Sequence, residues 1–513
     1  CLGVPVAALP EALADVIQTR SGGNPFFAEE LLHALRERGN LTPPAHIAGD
    51  LAQAVQTQPD TLHGLILARI DRLPAMQQAV LKVAAVIGRS FPFTPLHAAF
   101  TQWVAPMPET ELRAELLALN QRDFTFIEAP EPEPTYVFKH IITQEAAYQT
   151  LLYAQRRELH TLVADWYAAQ PVSAMQLPLL VHHYHQAERP EAERRYAGLA
   201  GEQAARYYDN ANALAYFSRA LALTPDSEPE TRQQLLLGRE AVYDVLGERA
   251  AQAEDLAALL QLAAAMGDPQ RRATVALRQA RYARAIDDYP AALLAAQETG
   301  QLALQVADSL LETQSLRIWG AVLRQQGEFG AARERLEQAL AVAREHGHQQ
   351  EEAQALYDLG TTLYQEANYA EARAFFEAAQ ALYATLEYKP GRIQCALMFG
   401  ALVAQMGDYM AERAQYQQAL AESRAIGWRY AEGFALNSLG NNAFDLGDYR
   451  TAKDYHTQAL QMGREVGHRE GVALSLDTLG LIHTMLGEFE AALKLGQEAL
   501  ELQREIEDTY SLG

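Results

Sequence analysis

Small and hydrophobic residues recur along the C-terminal part of the chain with a period of 40. Glycine occupies positions 320, 360, 400, 440 and 480, and a second series of small residues stands at 327, 367, 407, 447 and 487. An acidic residue or Asn, and then an aromatic residue, follows each member of the second series. A small residue at the end of one helix and an aromatic residue at the start of the next predict a chain of antiparallel helix pairs.

The apolar positions inside one unit have helical spacing, as shown by Leu356, Leu359, Gly360, Leu363, Ala372, Phe376 and Ala379. A period of 40 also fits armadillo and HEAT repeats, which have about 40 to 47 residues, whereas tetratricopeptide repeats commonly have about 34. The small residues stand at the tetratricopeptide positions and not in a proline-kinked helix. The run 436–449 is similar to the Leu-Gly-Asn type of long tetratricopeptide repeat. We therefore predict a tetratricopeptide superhelix of about eight units over residues 194–513.

The N-terminal part has a different pattern. Amphipathic helices are predicted over 62–73, 76–87 and 111–120, with a turn at 88–92. The short apolar runs 124–127 and 136–138 flank a Glu- and Pro-rich loop, which is typical of a two-stranded wing. The pattern predicts a winged-helix domain over 51–170 with a small β-wing, and a helical connector over 171–193. The expected fold class is predominantly all-α.

Composition limits the function. Of the 22 prolines, 17 precede residue 200, which agrees with an uninterrupted helical array behind them. The formal net charge of −23 argues against a nucleic-acid-binding protein, and the acidic wing argues against DNA binding by the winged helix. Two cysteines, Cys1 and Cys395, form no disulfide or metal-binding motif, and the sequence has no signal peptide, so a cytoplasmic location is expected. The start at Cys1 suggests a piece of a longer protein.

Four runs in the N-terminal part are specific enough to indicate a family: 20–31 (Arg-Ser-Gly-Gly-Asn-Pro-Phe-Phe-Ala-Glu-Glu-Leu), 138–140, 145–148 and 157–160. Together with the repeats they resemble STAND-type signal-transduction ATPases of the class associated with bacterial cyclases and transcription activators. The resemblance implies that residues 1–50 are the end of the ATPase helical subdomain and that the repeats are its sensor.

The phosphate-binding loop of such an ATPase is absent from the sequence, because none of the five lysines follows a glycine. We therefore expect no enzyme activity and no cofactor in this chain, with ATP or ADP bound by the full-length protein. The resemblance implies that Pro25 and His140 contact the nucleotide there. Ile141 follows the histidine, where the family more often has Asp. Without the resemblance, Pro25 is an ordinary helix-start residue, and His140 is a capping or packing residue.

No arrangement of residues predicts catalysis or metal binding. His182, His183 and His185 are close in sequence, but adjacent histidines without a clean i, i+4 pair or a neighbouring cysteine are poorly placed for tetrahedral coordination. Packing and surface roles are favoured for them.

A concave groove lined by the first helix of each repeat is the expected binding surface. Projection of the repeat register onto that surface selects Arg317, Arg324, Tyr357, Tyr364, Asn437, Asn441, Phe444 and Asp477. Asn437 and Asn441 are one helical turn apart and could hold a peptide backbone through their side-chain amides. The alternative is that both are solvated polar residues.

The function predicted from these observations is the regulatory and sensor region of a STAND ATPase. A protein, peptide or small-molecule inducer would bind the groove and release a nucleotide switch in the protein's own upstream domain. Oligomerisation on activation is a further expectation, and neither nucleic acid nor membrane is an expected partner. Two alternatives stay open: an independent tetratricopeptide scaffold for protein–protein interaction, and the DNA-binding part of a transcription activator.

Overall fold

The computed structural model describes residues 11–42, 46–47, 54–55, 57–129, 133–466 and 469–511. It divides the chain into two compact units, residues 1–196 and 197–513. Helices of the first unit are Glu11–Ser21, Pro25–Glu37, Leu62–Ile70, Ala75–Ile87, Phe93–Trp103, Glu109–Gln121, Ile141–Gln149, Tyr153–Ala168 and Leu177–Gln186, with a short 3-10 helix at Ala174–Gln176. Cys1 and residues 130–132 of the predicted wing loop lie outside the described residues.

A three-stranded antiparallel sheet lies among the helices of the first unit. Strand Thr135–Phe138 is central and pairs with Thr125–Ala129 on one side and Ser90–Pro92 on the other. A second, two-stranded pair joins Leu41–Thr42 to His46–Ile47. The segment 88–92 was expected to be a turn, and this prediction is wrong for Ser90–Pro92. Its extended backbone is stabilised by pairing with a strand more than 40 residues away in sequence, and local pattern does not report such pairing.

Arg69 links the helix Pro25–Glu37 to the loop before the sheet. Its side chain is 1% exposed and donates to Glu30 through Nη1 and to Glu37 Oε1 through Nε at 3.0 Å. Two more bonds run from Nη2, one to Glu37 Oε1 at 2.8 Å and one to the carbonyl oxygen of Arg122 at 2.8 Å. Burial alone would lower the pKa of Arg69, but the charges of Glu30 and Glu37 outweigh it and raise the pKa. This buried cation is thus fully paired.

The described helices from residue 190 onward form successive antiparallel pairs with the predicted period. The pairs are Pro190–Arg206 with Asn210–Leu223, Pro229–Leu246 with Arg249–Met266, Pro269–Ala285 with Tyr289–Val306, Ser309–Gln325 with Phe329–Glu345, Gln349–Gln365 with Tyr369–Thr385, Lys389–Gln405 with Tyr409–Ile426, Arg429–Asp445 with Tyr449–Val466, and Arg469–Met485 with Phe489–Ser511. The predominantly all-α fold and the tetratricopeptide superhelix are confirmed. None of the helices in this part or in the other described segments is both long and apolar enough to cross a membrane.

The repeated residues of the sequence perform the expected packing. The aromatic residue that follows each turn is the first residue of the second helix, as at Phe329, Tyr369 and Tyr409. A Cβ atom on Gly360 would lie 2.8 Å from the ring of Phe376, so the missing side chain is what allows the second helix to place its ring against the first.

The turn between the two helices of a repeat uses a left-handed residue. Gly327 and Gly407 have φ angles of 80° and 78°. Ala367 takes the same place with a φ of 59°, a conformation in which a Cβ atom is unfavourable. The preference for glycine at this position is therefore conformational, because a Cβ on Gly327 or Gly407 would meet no atom within 4 Å.

Cys395 is a packing residue of the array. It is buried and free, and it belongs to the apolar cluster that includes Leu356, Leu359 and Tyr383. Burial raises the pKa of its thiol to about 12, so the thiol stays protonated and unreactive at neutral pH.

Candidate ligand-binding cavities

A cavity of about 630 Å³ lies within the repeat array, and most of its lining comes from the first helices of successive repeats. Six arginines line it: Arg249, Arg281, Arg284, Arg317, Arg324 and Arg469. Only two acidic residues, Asp244 and Asp358, are among the described lining residues. The size is that of a small-molecule site, and the wall is positive although the chain as a whole has a net charge of −23.

Arg317 was predicted to line the groove. It lines this cavity, and its side chain is paired with two carboxylates. Its Nε donates to Asp358 Oδ2 at 2.9 Å, and its Nη1 donates to Glu351. Burial by itself would lower the pKa of Arg317, but the charges of Asp358 and Glu351 outweigh it and raise the pKa. Arg317 therefore presents little unbalanced charge. Arg249 is similar, since its Nη1 donates to Asp244 at 2.7 Å.

Three other arginines of this cavity differ from Arg317 in that they are not paired: Arg281, Arg284 and Arg324. None of them forms a hydrogen bond or an ion pair to another described residue. The Nε atoms of Arg284 and Arg324 are buried without a partner. Burial, together with the charges of Arg278 and Arg317, lowers the pKa of Arg281 to about 10 against the smaller opposing effects of Glu351 and Asp244. Burial also lowers the pKa of Arg324; the charge of Asp358 opposes this effect, and Arg284 acts in the same direction as burial. Within the described residues, none of the three guanidinium groups forms a direct ion pair with a carboxylate.

Aromatic residues form another part of the cavity wall. The rings of Tyr208 and Trp428 are stacked, with centroids 6.1 Å apart and an angle of 15° between their planes, and Tyr430 lies near them in the lining. Burial raises the pKa of Tyr208 to about 12, with a smaller contribution from Tyr388. The cavity therefore combines unpaired cations with flat apolar surface.

Sequence reasoning selected Arg317 and Arg324 but missed the other residues of this cavity. Arg284 stands one period of 40 before Arg324, so the repeat register contained the signal for it. Tyr208 and Trp428 lie more than 200 residues apart, and no local pattern predicts that they meet.

A second cavity, of about 230 Å³, contains the predicted Asn437. The side-chain oxygen of Asn437 is buried and has no hydrogen-bond partner among the described residues, and the apolar residues that line the same cavity include Phe434, Met462 and Leu474. Asn441 is exposed and does not line this cavity. The two asparagines are thus not brought together in one described cavity.

The neighbouring Asn442 has a structural role that sequence reasoning did not select. Asn442 is 1% exposed, and its Nδ2 donates to Glu412 Oε2 at 2.7 Å and to the carbonyl oxygen of Tyr409 at 3.0 Å. Asn442 therefore joins the helix Arg429–Asp445 to the helix Tyr409–Ile426 of the preceding repeat by hydrogen bonds.

The remaining predicted groove residues lie outside both cavities. Tyr357, Tyr364 and Phe444 are partly buried and pack on the rings of Phe376, Tyr369 and Tyr449, respectively, at centroid distances of 5.8, 5.7 and 5.3 Å. Burial, and to a smaller extent Asp358, raises the pKa of Tyr357. Asp477 is exposed.

The two residues expected to contact nucleotide lie in the first unit. Pro25 is the first residue of the helix Pro25–Glu37, whose N-terminus is capped by Asn24. His140 precedes the helix Ile141–Gln149, and its ring meets the neighbouring Phe26 edge-on, with centroids 4.8 Å apart. Two of the four sequence runs that carried the family resemblance, 20–31 and 138–140, are therefore in contact.

Charged residues surround His140. Its Nε2 lies 3.5 Å from Glu29 Oε2, and Lys139 donates to Glu29 Oε1 at 2.8 Å. Burial alone would raise the pKa of Glu29, but the hydrogen bond and the charge of Lys139 outweigh it and lower the pKa. A cavity of about 210 Å³ is lined here by residues that include Phe26, Arg89, Lys139 and His140.

The histidines near residue 183 form a cluster that differs from the one the sequence suggested. His160, His182 and His183 have ring nitrogens within 4.8 Å of one another, whereas His185 lies beside Glu193. The Nδ1 atoms of His160 and His183 are 2.8 Å apart, and His160 Nε2 lies 3.0 Å from the Tyr148 hydroxyl. These distances describe hydrogen bonds, and the nitrogen pair is closer than two ligands of one tetrahedral ion usually are.

Acid should destabilise the protein through these rings. Burial, the largest cause, lowers the pKa of His160 and of His183 to about 3 in the folded state, against about 6.5 when unfolded. Between those values the unfolded chain binds more protons, so the free energy of unfolding decreases as the pH falls below about 6.5, by up to about 1.4 kcal/mol per pH unit and histidine. Urea unfolding at pH 6.5, 6.0 and 5.5 measures this slope. It should become smaller in His183→Gln and stay unchanged in the exposed control His346→Gln; equal slopes in all three proteins would contradict the assignment.

Comparison with known proteins gives the following findings. A family model described as tetratricopeptide repeat matches residues 310–385 and 432–505. No curated protein sequence matches the chain significantly. Among solved structures, the chain is similar to a STAND protein with a tetratricopeptide repeat sensor from Pyrococcus horikoshii, at 11% identity and a TM-score of 0.47, over 98% of this chain and 74% of that one. It is also similar to a Rap protein complexed with competence and sporulation factor, at 13% identity and a TM-score of 0.41, over 72% of this chain and 93% of that one.

Proposed function

We propose that this chain is the regulatory and sensor part of a STAND-type signal-transduction ATPase. An inducer binds in the repeat array, and the first unit controls the nucleotide state of an ATPase domain that precedes Cys1 in the full-length protein. The chain itself contributes no phosphate-binding loop, so hydrolysis and the bound ATP or ADP belong to that preceding domain.

The observation that carries this proposal is the contact between two of the family-like runs of the first unit, 20–31 and 138–140. Phe26 belongs to the first run and His140 to the second, 114 residues apart, and their rings meet at 4.8 Å. Glu29 of the first run binds Lys139 of the second. A site that reads nucleotide through Pro25 and His140 requires such an arrangement, since both residues must approach one ligand.

The other elements of the first unit fit the same function. The helices before residue 122 and the three-stranded sheet are consistent with a winged-helix domain, which we interpret as a scaffold between ATPase and sensor. Glu128 on the sheet, and Glu133 two residues before its central strand, place negative charge where a DNA-binding wing would need positive charge.

The repeat array supports a sensor function through its two cavities. Tetratricopeptide arrays in general offer extended concave surfaces to partners. Here the array adds an arginine-lined cavity and a smaller one that contains the unpaired oxygen of Asn437. Unpaired buried polar atoms in a cavity are destabilising for the free protein, and a bound partner can satisfy them.

The test is the variant His140→Ala in the full-length protein. If His140 stabilises the nucleotide-bound resting state, loss of its hydrogen bond costs that state about 1.5 to 3 kcal/mol, enough to raise basal output about tenfold or more. Output is measured as ATP hydrolysis without inducer, with the exposed His346→Ala as the matched control. Unchanged basal output in both variants would contradict the switch and favour the alternative function, a tetratricopeptide scaffold that only assembles proteins.

A further inference from the structure

The arginine-lined cavity has a charge imbalance that the fold does not resolve. Arg249 is balanced by Asp244, and Arg317 by Asp358 and Glu351. Within the described residues, no ion pair is formed by Arg281, Arg284 or Arg324. The carboxylates that act on Arg281 and Arg324 at longer range are already bound to Arg249 and Arg317.

Retention of these three charges is costly for the free protein. The three side chains are half-buried. An ionised group that is partly removed from water without a partner is unfavourable, and burial favours the neutral form by shifting the pKa. Arginine does not lose its charge by such a shift, because even the lowered pKa of Arg281, about 10, leaves this side chain charged at neutral pH. The guanidinium groups also repel one another, and the charge of Arg284 contributes to the lowered pKa of Arg324.

We propose that this cavity binds a phosphorylated small molecule, with the phosphate held by Arg281, Arg284 and Arg324 and an aromatic or other flat group placed against Trp428 and Tyr208. This inference rests on the sensor function proposed above and specifies the chemical class of the inducer.

Phosphate matches the site better than a carboxylate does. A phosphate monoester carries about −1.5 to −2 charges at neutral pH and three acceptor oxygens, so it can serve several guanidinium groups together. A carboxylate carries one charge and two oxygens, which a single arginine satisfies in a bidentate pair. The buried Nε–H groups of Arg284 and Arg324 are donors without acceptors, as such a ligand requires.

The ring surface supplies the second half of the site. Tyr208 and Trp428 are stacked nearly parallel, and Tyr430 also lines the cavity. A volume of about 630 Å³ holds a phosphate together with a ring system. Phenyl phosphate is therefore the simplest probe that offers both parts, and benzoate is its carboxylate counterpart.

The experiment is calorimetric titration of the full chain, in a buffer free of phosphate, with phenyl phosphate, inorganic phosphate and benzoate. We expect phenyl phosphate to bind at least about tenfold more tightly than benzoate and more tightly than inorganic phosphate. Its affinity should fall at least about tenfold in the double variant Arg281→Gln/Arg324→Gln. It should be unchanged in Arg373→Gln, an exposed arginine paired with Glu377. No binding of phenyl phosphate, equal affinity for benzoate, or an equal effect of the control variant would overturn the proposal.

Thermal unfolding of the same variants shows whether a loss of affinity comes from a loss of stability. Because Arg281 and Arg324 are unpaired charges, their replacement should leave the melting temperature of the unliganded chain unchanged or higher, and phenyl phosphate should raise it only in the wild type. A double variant that melts lower would mean that the arginines stabilise the fold, which overturns the proposal. The sensor function is tested separately by His140→Ala, so an activated switch together with absent phosphate binding would reject only this ligand class.

Discussion

Gly360→Ala should lower the free energy of unfolding of the repeat array by about 2 to 3 kcal/mol. The added Cβ atom would lie 2.8 Å from two ring carbons of Phe376, a side chain that is fully buried. The ring cannot move aside without disturbing its neighbours, since it also packs against Tyr357 and Phe399. Urea unfolding followed by circular dichroism measures the change.

Gly496→Ala is the matched control, because Gly496 also lies inside a helix but has no atom within 4 Å of the position of a Cβ. There the substitution should be neutral or stabilise the protein by up to about 1 kcal/mol, since alanine favours helix more than glycine does. Equal losses in the two variants would mean that close packing of Phe376 is not what requires Gly360.

Arg69→Met should destabilise the first unit by about 3 to 5 kcal/mol. The substitution leaves Glu30, which is 3% exposed, without its cation and also removes the hydrogen bond to the carbonyl oxygen of Arg122. The measurement is urea unfolding at neutral pH, where Glu30 in the unfolded chain is ionised.

Two further variants identify the cause of that loss. Arg113→Met removes a pair with Glu109, in which the arginine side chain is 41% exposed, and a cation–π contact with the ring of Phe93 at 3.9 Å; it should cost less than about 2 kcal/mol. Arg69→Met/Glu30→Leu removes both buried charges and should recover most of the stability that the single variant loses. A single variant within about 1 kcal/mol of the wild type, or a double variant no better than the single one, would show that the buried pair contributes little.

The repeat architecture could be predicted from sequence because each helix pair meets nearly the same surroundings. Gly360 and Phe376 pack as their spacing indicates, and Tyr369 begins the second helix where the turn pattern places it. Nearest-neighbour packing turns a period in the sequence into a period in space. The helices of the first unit were predictable for the same local reason, whereas the strand Ser90–Pro92 depends on a distant partner.

The cavity was less predictable than the fold, since it depends on contacts between distant repeats. Arg324 was selected from the register, but an unpaired arginine such as Arg281 cannot be recognised before its neighbours are known. The phase of a helix adds a second difficulty: Asn441 and Asn442 are adjacent in sequence, yet one is exposed and the other is buried and bonded to Glu412. Successive residues of a helix point about 100° apart, so one side chain can face solvent while the next one is buried between helices.

The stacking of Tyr208 on Trp428 changes how the array should lose its structure. A linear repeat protein contacts only its neighbours, so its ends can unravel in steps while the middle stays folded. Here a residue between the helices of the first pair touches one that directly precedes the seventh pair. That contact closes a loop of more than 200 residues, so detachment of either region breaks an interaction with the other. The array is thus cooperative over a longer range than its repeats alone would make it, and a ligand seated against these two rings would strengthen that coupling.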